Sequence, residues 1–173
     1  MEGSANRAHD DCMSHVVDQS AIKRFLSGHR FAVVGASDDP KNFGRTVVTE
    51  LTSHGFEVVA VNPNATEVAG VPSYPDVASV RGELDGVVIM VPAPSAAGVV
   101  EACAARGLRR VWLFRGAGGV GSVSDDAIEV ARLHDLDVIV GACPLMFLEP
   151  VGWFHRMHRA VRRRRGQLVA VVG

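Results

Sequence analysis

Apolar positions in this chain gather into five short runs, at residues 31–36, 57–61, 86–91, 110–114 and 137–140. Each run is β-branched and almost continuously apolar instead of alternating, which is the pattern of a strand covered on both faces. Between the runs, apolar residues recur at helical spacing. Helices are predicted over 44–54, 76–81 (a short one), 95–106 and 124–134, with an earlier amphipathic helix over 16–26. Gly55 and Gly107 stand where helix-ending glycines belong. Ser95 and Ser124 are expected N-caps, and Asp125 and Asp126 complement the dipole of the helix that Ser124 opens. Regular alternation of this kind predicts an α/β fold: a doubly wound, parallel, five-stranded sheet with right-handed crossovers.

The expected domain covers residues 15–150. Residues 1–14 are polar and read as a disordered tail. Residues 151–173 read as an added C-terminal helix followed by a basic and apolar tail.

In a doubly wound sheet, ligands lie across the carboxyl ends of the strands, at the point where strand order reverses. The first run ends in Gly35-Ala36-Ser37, and Gly44-Arg45 opens the next helix. Strand, glycine turn and helix N-terminus together present backbone N–H groups to a phosphate. The hydroxyl of Ser37 and the guanidinium of Arg45 suit a pyrophosphate. Gly35 and Gly44 are nine positions apart, so the GxGxxG fingerprint is not matched. After the second run comes Asn62-Pro63, where a nicotinamide dinucleotide site places an Asp or Glu for the ribose hydroxyls. The remaining edges carry Val91-Pro92-Ala93-Pro94-Ser95, Arg115-Gly116-Ala117-Gly118-Gly119 and Gly141-Ala142-Cys143-Pro144. No edge offers a nucleophile beside a base, so the crevice reads as one that binds and does not catalyse.

Bulk properties narrow this further. The chain has 173 residues and a net charge of −1, which gives no general case for nucleic acid or a membrane surface as a partner. No apolar run approaches the ~20 residues of a spanning helix, and the N-terminus carries no apolar signal core. Cys12, Cys103 and Cys143 are an odd, widely spaced set, which points to a reducing, cytoplasmic setting.

The order VVGAS, FGR, VNP, VPAPS, a Gly-rich turn and GACP resembles the CoA-binding Rossmann family, small proteins similar to the CoA-binding domain of the succinyl-CoA synthetase alpha subunit. The resemblance spans roughly residues 20–158. It implies a Rossmann-like fold of CoA-binding type and a coenzyme A or acyl-CoA ligand. By position, Gly35, Ala36, Ser37, Gly44 and Arg45 would hold its phosphates. Asn62 and Pro63 would border the adenosine. Val91, Pro92, Arg115 and Gly116 would flank the nucleotide and the start of the pantetheine arm. Many members of that family carry a Gln-x-Gly turn after the fourth strand, where this chain has a longer, glycine-rich loop. The acyl-phosphate chemistry of the synthetase belongs to a further domain with a phosphorylated histidine, so ligation is not expected here. The expected role is a non-catalytic carrier or regulator. The competing readings are an NAD(P)-dependent oxidoreductase and a vestigial interaction module.

Trp153, Phe154, Met157, Ala160 and Val161 share one face of the expected last helix, which could pair copies of the chain as a homo-oligomer. His155 and His158 lie beside that stripe, but neighbouring arginines favour an anion over a metal there. The four arginines at 162–165 read as a solvated run. Cys143, at the ligand edge, is a candidate for a mixed disulfide with the thiol of CoA, against the plainer reading of packing on Pro144.

Overall fold

Side chains along the first strand divide between two cores. Phe31 and Val33 of β1 (Arg30–Val34) enter one apolar cluster, and Ala32 and Val34 enter a second. This is the two-residue period of a strand buried on both sides. The computed structural model describes residues 19–116, 119–148 and 170–172. The first cluster lies under α1 (Gln19–Leu26) and α2 (Phe43–Ser53), the second under α3 (Ala93–Ala105) and α4 (Asp125–Leu133). Three layers result, with the sheet between two pairs of helices.

All five expected strands are present: β1, β2 (Glu57–Val61), β5 (Gly86–Ile89), β6 (Arg110–Phe114) and β7 (Asp137–Ala142). Three further strands join them: β3 (Glu67–Val68), β4 (Val71–Tyr74) and β8 (Ala170–Val172). The order across the sheet is β3-β4-β2-β1-β5-β6-β7-β8. Strands β4, β2, β1, β5, β6 and β7 run parallel, while β3 pairs antiparallel with β4, and β8 with β7. From β1 the chain moves outward through β2 to β4, then returns to β5 on the other side of β1. The switch point therefore lies between the ends of β1 and β5.

Several local expectations are revised. Residues 76–81 form a turn instead of a helix, because Asp76 accepts hydrogen bonds from both the backbone N–H and the hydroxyl of Ser79. Those bonds offer the backbone an alternative to helix, and Gly82, at φ +76°, closes the turn. Helix α3 begins at Ala93, before Ser95, with Pro92 as its N-cap. Proline suits the first helical turn, where a backbone donor would have no partner. The Pro92–Pro94 stretch is thus the opening of a helix. Ser124 does cap α4, accepting from the Ala127 N–H at 3.2 Å, and Gly55 and Gly107 adopt the positive φ of helix-terminating residues. The expected disordered tail (1–14) and C-terminal helix (150–165) lie outside the described residues, as do His155 and His158. The end of the apolar tail adds β8 to the sheet.

The amino ends of the strands are held by side chains. Arg30 pairs with Glu57 at 2.6 Å and donates to the carbonyls of Arg81 and Glu83. Asp85 accepts from the backbone N–H groups of His29 and Arg30 at 2.7 and 2.9 Å, and these bonds, the Arg30 one foremost, hold its carboxyl below the usual range.

Candidate functional site

The carboxyl ends are built differently, largely from main chain. Gly35 turns the chain away from β1 at φ +91°, and its N–H still bonds the Val61 carbonyl. A Cβ there would stand 3.0 Å from the Met90 carbonyl carbon, so only glycine lets the ends of β1 and β5 approach this closely. Asn42 then caps α2. Its Oδ1 accepts from the Gly44 N–H at 2.8 Å, and its Nδ2 donates to the Gly35 carbonyl at 3.3 Å. Gly44 contributes space, because a Cβ would lie 2.7 Å from the Ala36 Cα. Its amide is already taken by the cap, so the donors left at this helix mouth come from neighbouring residues.

Asn62 braces the same turn from β2. It donates to the Ala36 carbonyl at 2.8 Å and accepts from the Asn64 N–H at 2.8 Å, while its own N–H bonds the Tyr74 carbonyl. Ala36 is fully buried and Ser37 half-buried. Arg45 is exposed on the first turn of α2, with Nε 3.4 Å from the Asp38 carboxylate. Asp38 also accepts from the Ala69 N–H at 2.8 Å, tying the loop after β1 to the turn of the β3–β4 hairpin.

Two cavities flank this turn. The larger, about 360 Å³, lies toward α3 and is lined by Gly35, Asn62, Pro63, Asp76, Val91 and Val99 among others. The smaller, about 260 Å³, lies toward α2 and β6 and includes Phe43, Gly44, Met90, Val91, Pro92 and Phe114. Val91 borders both, beside the switch point. Ionisable groups are scarce here. Asp76 is the one acid on the larger cavity, its carboxyl lowered from the ordinary value chiefly by the Ser79 hydroxyl.

Of the residues singled out in the sequence, Gly35, Asn62, Pro63, Val91, Gly44 and Pro92 are brought to these cavities. Ala36, Ser37 and Arg45 adjoin them through the loop and the first turn of α2. Arg115 and Gly116 line neither cavity. The Arg115 Nε donates to the Gly119 carbonyl at 3.3 Å, and its side chain runs beside Gly141. Cys143 is also absent from both walls and is buried in the first core cluster with Leu145 and Met146. Among the described residues no three His, Cys, Asp or Glu side chains gather as metal ligands. No helix among them is long and apolar enough to cross a membrane.

Two contributors carried no sequence signal. Ser122, fully buried, donates from Oγ to the Val91 carbonyl at 2.5 Å, and its N–H bonds the Phe114 carbonyl at 2.8 Å. It thereby fastens the loop after β6 to the turn after β5. Phe43 stacks on Phe114, with ring centroids 5.6 Å apart, at the mouth of the smaller cavity.

A parallel sheet of this order, with a glycine turn and paired hollows at its switch point, defines a Rossmann-like α/β protein with a crevice of nucleotide-binding type. The chain belongs to the CoA binding domain family, whose model matches residues 29–149. It is 29% identical over 127 residues to the alpha subunit of the ADP-forming acetate–CoA ligase II of Pyrococcus furiosus, covering 69% of this chain but 27% of that subunit. It is 26% identical over 126 residues to the uncharacterized protein YneT of Bacillus subtilis, covering 72% of this chain and 90% of that one. A hypothetical protein from Pyrococcus horikoshii has a similar solved structure, with a TM-score of 0.66 at 25% identity, over 82% of this chain and 92% of that one. The chain thus spans about a quarter of the ligase subunit and most of the two small proteins.

Proposed function

We propose that this protein binds coenzyme A or an acyl-CoA through its ADP moiety at the carboxyl edge of the sheet, without catalysing a reaction. On this reading it acts as a carrier or regulator drawing on the cytoplasmic CoA pool. The observation that carries the reading is the pair of cavities that share Val91 in their walls beside the Gly35 turn, in a chain of the CoA binding domain family. The larger hollow, walled by Pro63, Val77 and Val99, receives the adenosine. The diphosphate crosses the mouth of α2, where the helix dipole and Arg45 favour negative charge. The pantetheine arm leaves over Val91 and Pro92.

No side chain on either wall pairs a nucleophile with a general base, which supports binding without chemistry. The absence of an acid directly after Val61 weighs against a nicotinamide dinucleotide. Calorimetric titration with CoA, acetyl-CoA, NAD and NADP tests the proposal. CoA and acetyl-CoA are expected to bind while NAD and NADP do not. Binding of NAD without CoA would replace the reading with an oxidoreductase, and no binding at all would leave an interaction module.

A further inference from the structure

We infer that Asp76 reads the base of the bound nucleotide: one of its carboxylate oxygens accepts from the exocyclic amine of adenine, so the larger cavity rejects a purine that carries an oxygen in that place. The inference rests on the CoA reading above and assigns a specificity-determining residue within the same site.

Three observations carry it. First, the place suits a base. Val34, Val61 and Tyr74 stand level across β1, β2 and β4. Asp76, just beyond Tyr74, therefore lies two strand spacings, on the order of 10 Å, from the Gly35 turn. Phosphate, ribose and base follow one another along a nucleotide. With the diphosphate at the mouth of α2, the base is the part that reaches the end of β4, where Pro63, Pro75 and Val77 give apolar walls to a flat ring. The ribose of CoA also carries a 3′-phosphate, which the Asp76 charge would repel, so the ribose lies away from it.

Second, the carboxylate is held in place without being used up. Its Oδ1 accepts from the Ser79 N–H and hydroxyl, both at 2.7 Å, and neither bond engages Oδ2. These bonds, the hydroxyl foremost, keep the carboxyl below its ordinary value, so at neutral pH it is ionised and can only accept. Third, the other side chains on this wall are not suited to the task. Asn62 turns its amide to the Ala36 carbonyl and the Asn64 N–H. Among the described residues, no cationic or hydroxyl side chain lines the cavity.

Hypoxanthine differs from adenine at this position, with a carbonyl oxygen in place of the amine. Set against Oδ2, that oxygen forfeits a hydrogen bond and meets a negative charge. Asp76→Asn inverts the match. The new amide must keep Oδ1 toward the two Ser79 donors, which puts Nδ2, a donor, where Oδ2 stood.

The experiment is calorimetric titration of CoA and of its hypoxanthine analogue into the full chain and into Asp76→Asn. The parent should bind CoA about tenfold tighter than the analogue, the loss of one hydrogen bond to a charged group at an exposed rim. Asp76→Asn should weaken CoA and tighten the analogue, bringing the ratio to one or below, with a melting temperature close to the parent's. A parent that binds both ligands equally, or a ratio that Asp76→Asn leaves intact, as for a residue that only shapes the turn, overturns the base reading while the CoA reading survives. If neither ligand binds the parent, both readings fall.

Discussion

The Ser122 hydroxyl donates to the Val91 carbonyl at 2.5 Å, joining the turn after β5 to the loop after β6. Val91 is the one residue common to both cavities, so this bond positions the wall they share. Replacing Ser122 with Ala leaves the Val91 carbonyl without this donor, which costs about 1–3 kcal/mol of stability. Urea denaturation should show that loss, and CoA affinity should fall with it. A variant that keeps both would show that the bond is dispensable.

Arg45 and Asp38 share the mouth of α2 at 3.4 Å. Both are half-exposed, so their pairing is worth little in itself. Toward a bound diphosphate, Arg45→Ala should weaken CoA binding by about 1.5–3 kcal/mol, the range for a charge-assisted hydrogen bond. Asp38→Asn removes the competing anion and should tighten CoA severalfold at low salt, with the gain shrinking as salt screens it. Unchanged calorimetric affinity in both variants would remove this pair from the site.

Gly35→Ala combines a φ of +91° with a Cβ at 3.0–3.1 Å from the Met90 and Val91 backbone. The strained conformation alone costs about 1–3 kcal/mol. The variant should melt earlier than the parent and lose CoA binding, because the turn can relax only by parting the ends of β1 and β5. A calorimetric melt and one titration check both parts.

Acid should weaken the amino edge. Because folding holds the Asp85 carboxyl below its ordinary value, its contribution is present above the unfolded value and is lost as pH falls through the folded one. Urea midpoints should therefore decline as pH drops below about 4, near the unperturbed Asp value. Asp85→Asn should show a shallower decline, with the rest owed in part to Asp76. A slope equal to that of the parent would show that Asp85 plays no part in it.

Burial pushes the Cys103 thiol up to about 12. At pH 8 it is almost wholly protonated and enclosed, so iodoacetamide should leave it unmodified in the native protein and alkylate it in urea. Peptide mass mapping reads this residue by residue.

Most of the sheet was legible because burial on both faces writes a strand as an unbroken β-branched run, as in Phe31–Val34 and Val58–Val61. The β3–β4 hairpin was not. Its strands are two and four residues long, and its turn places Ala69 and Gly70 at φ +51° and +81°. A two-residue turn with both φ positive is signalled by Asn-Gly or Asp-Gly, and Ala-Gly lacks that mark. In the crevice, Gly35, Gly44 and Asn62 were legible because close backbone approach and strand-end capping demand particular residue types. Their actual duties were less so, since Asn62 spends its amide on the protein itself. Arg115, placed beside the nucleotide by the resemblance, lies on the loop after β6 and donates to the Gly119 carbonyl. Ser122 reaches Val91 only through that folded-back loop, which spacing along the chain cannot express.

Among the described residues, both margins of the sheet are short antiparallel strands, two residues in β3 and three in β8. Such stubs give an incoming strand too few backbone groups to zip onto, so lateral growth from one molecule to the next is cut off at either rim. Concentrated solutions should accordingly stay free of fibrils while the sheet is intact, and copies that do meet must do so through side-chain surfaces.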